Sequence, residues 1–190
     1  MSIILQSLGR TVAAGIVLLV IVLFAFGTGV TQHHLIGMRW LHVMCGVMWI
    51  GLLWYFNFVQ IPSMPKIPDE QKPAISKVIA PAALFWFRWA ALATVVTGLL
   101  LAQANHYLVQ ALTLADPART IGIGMWLALV MAFNVWFIIW PNQKKALGIV
   151  TVEAAEKAKA ARLAMLTSRI NTLLSITMLY CMVAQQNGGL

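Results

Sequence analysis

The sequence predicts an all-α integral membrane protein: a bundle of about five transmembrane helices forming one domain over residues 1–190. Hydrophobic residues make up 61% of the chain and charged residues 9%, a composition suited to lipid rather than water. The apolar residues gather in runs long enough to cross a hydrocarbon layer of about 30 Å. The basic residues, which bring the net charge to +8, gather between those runs. Ten lysines and arginines fall at one end of the expected spans and only Arg39 and Arg119 at the other, leaving Arg88 within a span. The positive-inside rule then puts the N-terminus in the cytoplasm and the C-terminus outside. Read this way, the charge reports membrane orientation, and nucleic acid is excluded as a partner.

The first span is expected at 11–30, rich in Val, Leu and Ile and without a charge, and serves as a lipid anchor. It is too long for a signal-peptide core and lacks a small-x-small cleavage site, so it is read as uncleaved. A polar link, TQHHLIG, leads to a second span at 38–60. Five prolines between Ile61 and Pro81 predict a stiff loop there, because proline cannot continue a helix. A third span at 81–103 is followed by a short interfacial helix around HYLVQAL, and a fourth at 121–140 is expected to stop at Pro141. An Ala-rich, charged cytoplasmic helix at 150–166 runs into a fifth span at 168–184. Glu153 and Lys157 support it at i,i+4 spacing.

The second span carries polar residues on one stripe. At 100° per residue His42, Gly46, Trp49, Leu53, Asn57 and Gln60 share a face, with Met44, Val47, Met48, Gly51, Tyr55 and Phe58 opposite. Lipid cannot satisfy such a stripe, so it must face protein, cofactor or water. From His42 to Gln60 is about 27 Å at helical rise, so its two ends belong to different levels.

The outer level holds His33, His34, His42 and His106. His33 and His34 sit in a loop and read as ordinary surface residues. His42 and His106, on neighbouring helices at similar depth, are the candidate iron ligands of a b-type haem, since imidazole is a common axial ligand. The plainer alternative is a His42 bonded to a helix carbonyl and a hydrated His106. Copper on His42, Met44 and Cys45 is excluded, because Met44 points away from His42. The inner level holds Asn57, Gln60, Arg88, Asn134, Asn142, Arg169 and Asn171, a candidate substrate or polar site. Arg88 stays charged, and no span contains an acid to pair with it. Its partner is an amide, a carbonyl, a lipid phosphate or an anionic ligand such as a haem propionate or acidic substrate; snorkelling to headgroups is the bland alternative.

Cys45 and Cys181 belong to no CxxC or CxxCH pattern, which excludes covalent c-type haem and a dithiol redox pair within this sequence. There is no P-loop, GxGxxG, HExxH or Ser-His-Asp set either, so any catalysis must come from a cofactor.

The strings RWLHVMCGVMWIGLLWYFNFVQIP, ALFWFRWAALATVVTGLLL, MWLALVMAFNVWFIIWPNQKK and SRINTLLSITML resemble the membrane domain of the bacterial membrane-bound, cytochrome c-linked urate hydroxylase family (PuuD type). The resemblance implies a bacterial inner-membrane protein concerned with urate oxidation. Carried over residue by residue, it marks His42, Asn57, Gln60, Arg88, Asn134, Asn142, Arg169 and Asn171. Members with urate chemistry carry a C-terminal cytochrome c; this sequence has no CxxCH, which implies a separate soluble or membrane-bound cytochrome c as electron acceptor. A more distant likeness is to the small b-haem protein that oxidises protoporphyrinogen, whose intramembrane lysine is missing here.

The expected function is therefore a membrane redox protein binding b-type haem and supporting electron transfer or urate-like oxidation. Two alternatives come from other classes. One is a non-catalytic accessory subunit of a larger respiratory or oxygenase complex, or a homo-oligomer, packing through its aromatic faces and its Gly46 to Gly51 spacing. The other is a small-anion carrier using Arg88, which lacks the inverted repeat such folds show.

Overall fold

The computed structural model describes residues 2–27 and 33–189, and the described residues form helices joined by short turns, without strands. Five of its helices are long and apolar enough to cross a membrane. The chain divides into two compact units, Met1–Ile36 and Gly37–Leu190. In the first, α1 (Leu8–Phe26) is apolar from Val12 onward and buries no residue. It starts earlier than expected, and positions 28–30 of the predicted span lie outside the described residues.

The next helix, α2 (His33–Trp54), already begins inside the expected polar link. Its predicted stripe is the packed face: Trp49, Leu53 and Asn57 are buried, while Met44, Val47, Met48, Gly51 and Phe58 are exposed. The helix does not stop at the prolines. It passes through a π segment, Tyr55–Gln60, then Ile61–Ser63 and a tight turn at Met64–Lys66. Only the short stretch before Lys72 breaks it.

The same device occurs twice more. A π segment Ile75–Ile79 precedes α3 (Ala80–Ala104), which has Pro81 in its first turn. Likewise α4 (Arg119–Phe133) continues through a π segment, Asn134–Ile139, into Trp140–Ala146, past Pro141. Proline lacks an N–H and its ring collides with the carbonyl four residues earlier. Those carbonyls belong to Phe58, Lys77 and Phe137, each inside a π segment. The wider i→i+5 turn, seen in Ile61 N–H bonding to Phe56 O and Trp140 N–H to Val135 O, moves them aside. The expected proline loop thus shrinks to residues 67–71, which hold Pro68, and the helix stop at Pro141 is corrected: Pro62, Pro81 and Pro141 bend the hydrogen-bond ladder without ending their helices.

The short helix expected after α3 is Leu108–Leu112. The charged helix and the fifth span form one helix, α5 (Ala154–Ala184). It packs most extensively on α4, and closely: a Cβ at Gly124 would come 3.0 Å from Cys181 Cβ. The main core of the second unit lies where Trp49, Leu53 and Phe56 of the α2 span meet Leu84 and Phe87 of α3, Met131 and Val135 of the α4 span, and Met178 of α5.

Candidate functional site

The two levels read from the stripe are structurally different. At the His42 end, α2, α3, α4 and α5 surround a cavity of about 710 Å³, inside the roughly 300–1,000 Å³ range of cofactor and small-molecule pockets. Its wall is apolar: Val43, Val47 and Ile50 from α2, Leu99 from α3, Leu129 from α4 and Leu179 from α5. Arg39, Tyr107, Gln185 and Gln186 supply polar groups to the same lining. Burial holds the Tyr107 phenol above its usual range, more than the nearby Arg39 charge lowers it.

His42 sits in that wall with a hydrogen on Nδ1 required by its neighbours. Nδ1 lies 3.0 Å from Thr94 O and 3.2 Å from Thr97 Oγ1. A carbonyl only accepts, and the Thr97 hydroxyl is already donating to Ala93 O at 2.6 Å, so Nδ1 carries the hydrogen. In its neutral form the ring then has its lone pair on Nε2, for which the described residues offer no hydrogen bond. This is the arrangement in which proteins present imidazole to metals. Gly98 makes it fit, since a Cβ there would come 2.9 Å from His42 Cε1. Gly46, one turn from His42, keeps the α2 wall thin. The thioethers of Met125, Met178 and Met182 line the α4–α5 side.

His106 is not brought to this cavity. It occupies an exposed turn between α3 and the short helix, with φ 60, and does not line the cavity. His33 and His34 are exposed in the first turn of α2, a helix rather than the expected loop.

At the lysine-rich end, several expected site residues tie helices together. Asn134 Nδ2 donates to Asn171 Oδ1 at 2.8 Å, and Asn171 Nδ2 to Met131 O at 2.9 Å, joining α4 to α5. Asn57 Nδ2 donates to Ser168 Oγ at 2.8 Å, and Trp54 Nε1 to Ser175 Oγ at 3.0 Å, joining the α2 span to α5. Ser168, Asn171 and Ser175 thus form one buried polar edge of α5. Asn142 bonds within its own helix to Ile138 O, and Arg169 is exposed. Asn57 Oδ1 and Gln60 Oε1 are buried acceptors without partners. Arg88 stacks on Trp140 and is half-buried, away from the His42 cavity.

The sequence reading missed Thr94, Thr97 and Gly98, although TVVTG places them at 94, 97 and 98 on one face. It also missed Ser168 and Ser175 as partners of the second span, and Arg39 as a cavity residue.

The described residues form an all-helical fold with five membrane-crossing candidates and a polar-rimmed apolar cavity between four of them, which is the class of a multi-helix membrane protein. More particularly, residues 110–188 match the family model described as urate oxidase N-terminal. The match covers α4 and α5, less than half the chain, and supplies a urate-related link; His42 and Arg88 lie outside it. No curated protein and no solved structure matches the chain.

Proposed function

We propose that the chain is a bacterial inner-membrane redox protein that holds a b-type haem in the His42 cavity and supports oxidation of a small urate-like substrate, with an external cytochrome c taking the electrons. The observation that carries this reading is the His42 ring, held through Nδ1 by the Thr94 carbonyl with its Nε2 lone pair unused beside a cavity of about 710 Å³. The urate-related match over 110–188 supports the substrate class.

The lining fits such a group chemically. His42 Nε2 would hold the iron, and the apolar wall would accept the macrocycle. Arg39 supplies a cation for its carboxylates. Met125 and Met178 line the same space and would offer thioether sulfur to the group's iron. When bound, haem supplies one-electron transfer. The chain's own part is to fix the imidazole tautomer through Thr94 and Thr97, to keep the ring upright over Gly98, and to exclude water with the α2 and α4 walls.

The test is an optical spectrum of the purified full chain after haem reconstitution. A Soret band that is lost in His42→Ala, with helicity by circular dichroism unchanged, is expected. A wild-type protein that takes up no haem overturns the cofactor reading. Urate should then reduce the bound haem with cytochrome c as the sink; if haem binds but urate leaves it oxidised, the substrate reading falls and the cofactor reading stands.

A further inference from the structure

Two cations meet on one indole at the lysine-rich end. The guanidinium carbon of Arg88 lies 3.7 Å from the centroid of the Trp140 ring, and Lys144 Nζ lies 5.7 Å from it. Among the described residues neither has a carboxylate within ion-pair distance, whereas the adjacent Lys145 is paired with Glu156. Contact with a ring face attracts a cation but leaves its N–H donors unused. Arg88 Nη1 is accordingly buried without a partner. Trp136, about one turn away on the same helix, has a buried Nε1 in the same condition, and its ring packs 5.3 Å from that of Trp89, the neighbour of Arg88.

From this point an apolar groove of about 410 Å³ follows the α3–α4 seam, lined by Leu92 and Val95 on one side and Ala132, Trp136 and Phe137 on the other. Arg88 to Val95 spans about 10 Å of helix, so the groove leads from the cations toward the middle of the span.

We propose that this is a site for one anionic phospholipid. Its phosphate sits against the exposed side of the Arg88 guanidinium and Lys144, and an acyl chain fills the groove past the Trp136 ring. A free anion would use the cations and not the groove. A zwitterionic lipid would use the groove but bring its own cation to a place that already has two. The proposal is independent of the haem reading, since its cations Arg88 and Lys144 do not line the His42 cavity, although Val95 borders both spaces.

The experiment uses the full chain, delipidated in neutral detergent. Thermal midpoints are measured with dioleoylphosphatidylglycerol, dioleoylphosphatidylcholine, inorganic phosphate or urate, and adducts are counted by native mass spectrometry. Phosphatidylglycerol should raise the midpoint by several degrees and persist as a one-to-one adduct. Lys144→Gln and Arg88→Gln should each weaken it about tenfold, the loss expected for one charged hydrogen bond. Ala132→Phe, which fills the groove, should do the same. Equal stabilisation by phosphatidylcholine overturns the proposal. So does a gain reproduced by phosphate or urate alone, which would make this a small-anion site. If Arg88→Gln does not fold, Lys144→Gln, at the helix end, decides.

Discussion

The His42 ring leaves no room for a side chain at Gly98: a Cβ there would come 2.9 Å from Cε1 and 3.2 Å from Nδ1. Both atoms lie on the edge that is held by Thr94 and Thr97, so the ring cannot move aside without giving up those bonds. Gly98→Ala should therefore lower stability by about 1–3 kcal/mol, the usual cost of an inserted methyl group in a packed site. It should also weaken haem uptake more than its effect on folding accounts for. Thermal unfolding and a Soret titration on the same sample separate the two effects. Full haem affinity in a stable Gly98→Ala protein would show that the ring orientation is immaterial.

The Asn134–Asn171 bond is a structural cross-brace between α4 and α5, extended by Asn171 to Met131 O. Polar pairs between membrane helices are modest, averaging about 0.6 kcal/mol and reaching about 1.7 kcal/mol. A double-mutant cycle with Asn134→Ala and Asn171→Ala should give a coupling within that range. Asn171→Ala alone should cost more than Asn134→Ala, because it also strands the Met131 carbonyl. The same variants should leave haem binding unchanged, since neither residue lines the His42 cavity. Loss of the Soret band in Asn134→Ala would show that the two levels communicate.

These cases show which features could be read from the chain. The spans, the short helix Leu108–Leu112 and the packed face of α2 follow from hydropathy and a 100° period, which depend on neighbouring residues alone. Which amide meets which does not. Asn134 and Asn57 are both amides within apolar spans, yet one finds Asn171 and the other Ser168, a choice made by helix packing. The helix ends failed for another reason. The expectation that Pro62 and Pro141 stop a helix assumes an α ladder, and in both places the ladder has already widened before the ring arrives. No span offers Arg88 an acid, and the flat partner it finds, Trp140, carries no charge to signal it.

Tyr107 offers a pH test outside the spans. Burial holds its folded-state pKa above the usual value near 10, outweighing the Arg39 charge. A group with a raised folded pKa stabilises fully below its unfolded pKa, and the contribution is lost as pH climbs through the folded value. Absorbance at the tyrosinate band should thus contain a late component above pH of about 10 that Tyr107→Phe removes. Stability of the wild type should fall over the same interval and that of Tyr107→Phe less steeply. A wild-type titration with no late component would mean that the phenol is hydrated.

Gly122 governs the rim that carries Tyr107. Its missing side chain is filled by backbone: a Cβ would collide with Ala111 O, with Ala111 C only 3.0 Å away. Backbone cannot swing away as a side chain does, so Gly122→Ala must push Leu108–Leu112 off α4. That helix is otherwise held there by Trp126 Nε1 donating to Leu112 O at 3.1 Å and by the Ala111 and Ile121 core. A cost of about 3 kcal/mol or more is expected, toward the large end for strained single substitutions. Amide exchange should rise selectively across Leu108–Leu112, while the Asn134–Asn171 end stays protected. Because Tyr107 precedes the displaced helix, the variant should also open the His42 cavity and speed haem loss. Fast exchange without faster haem loss would show that the cavity is closed by Arg39, Gln185 and Gln186 alone.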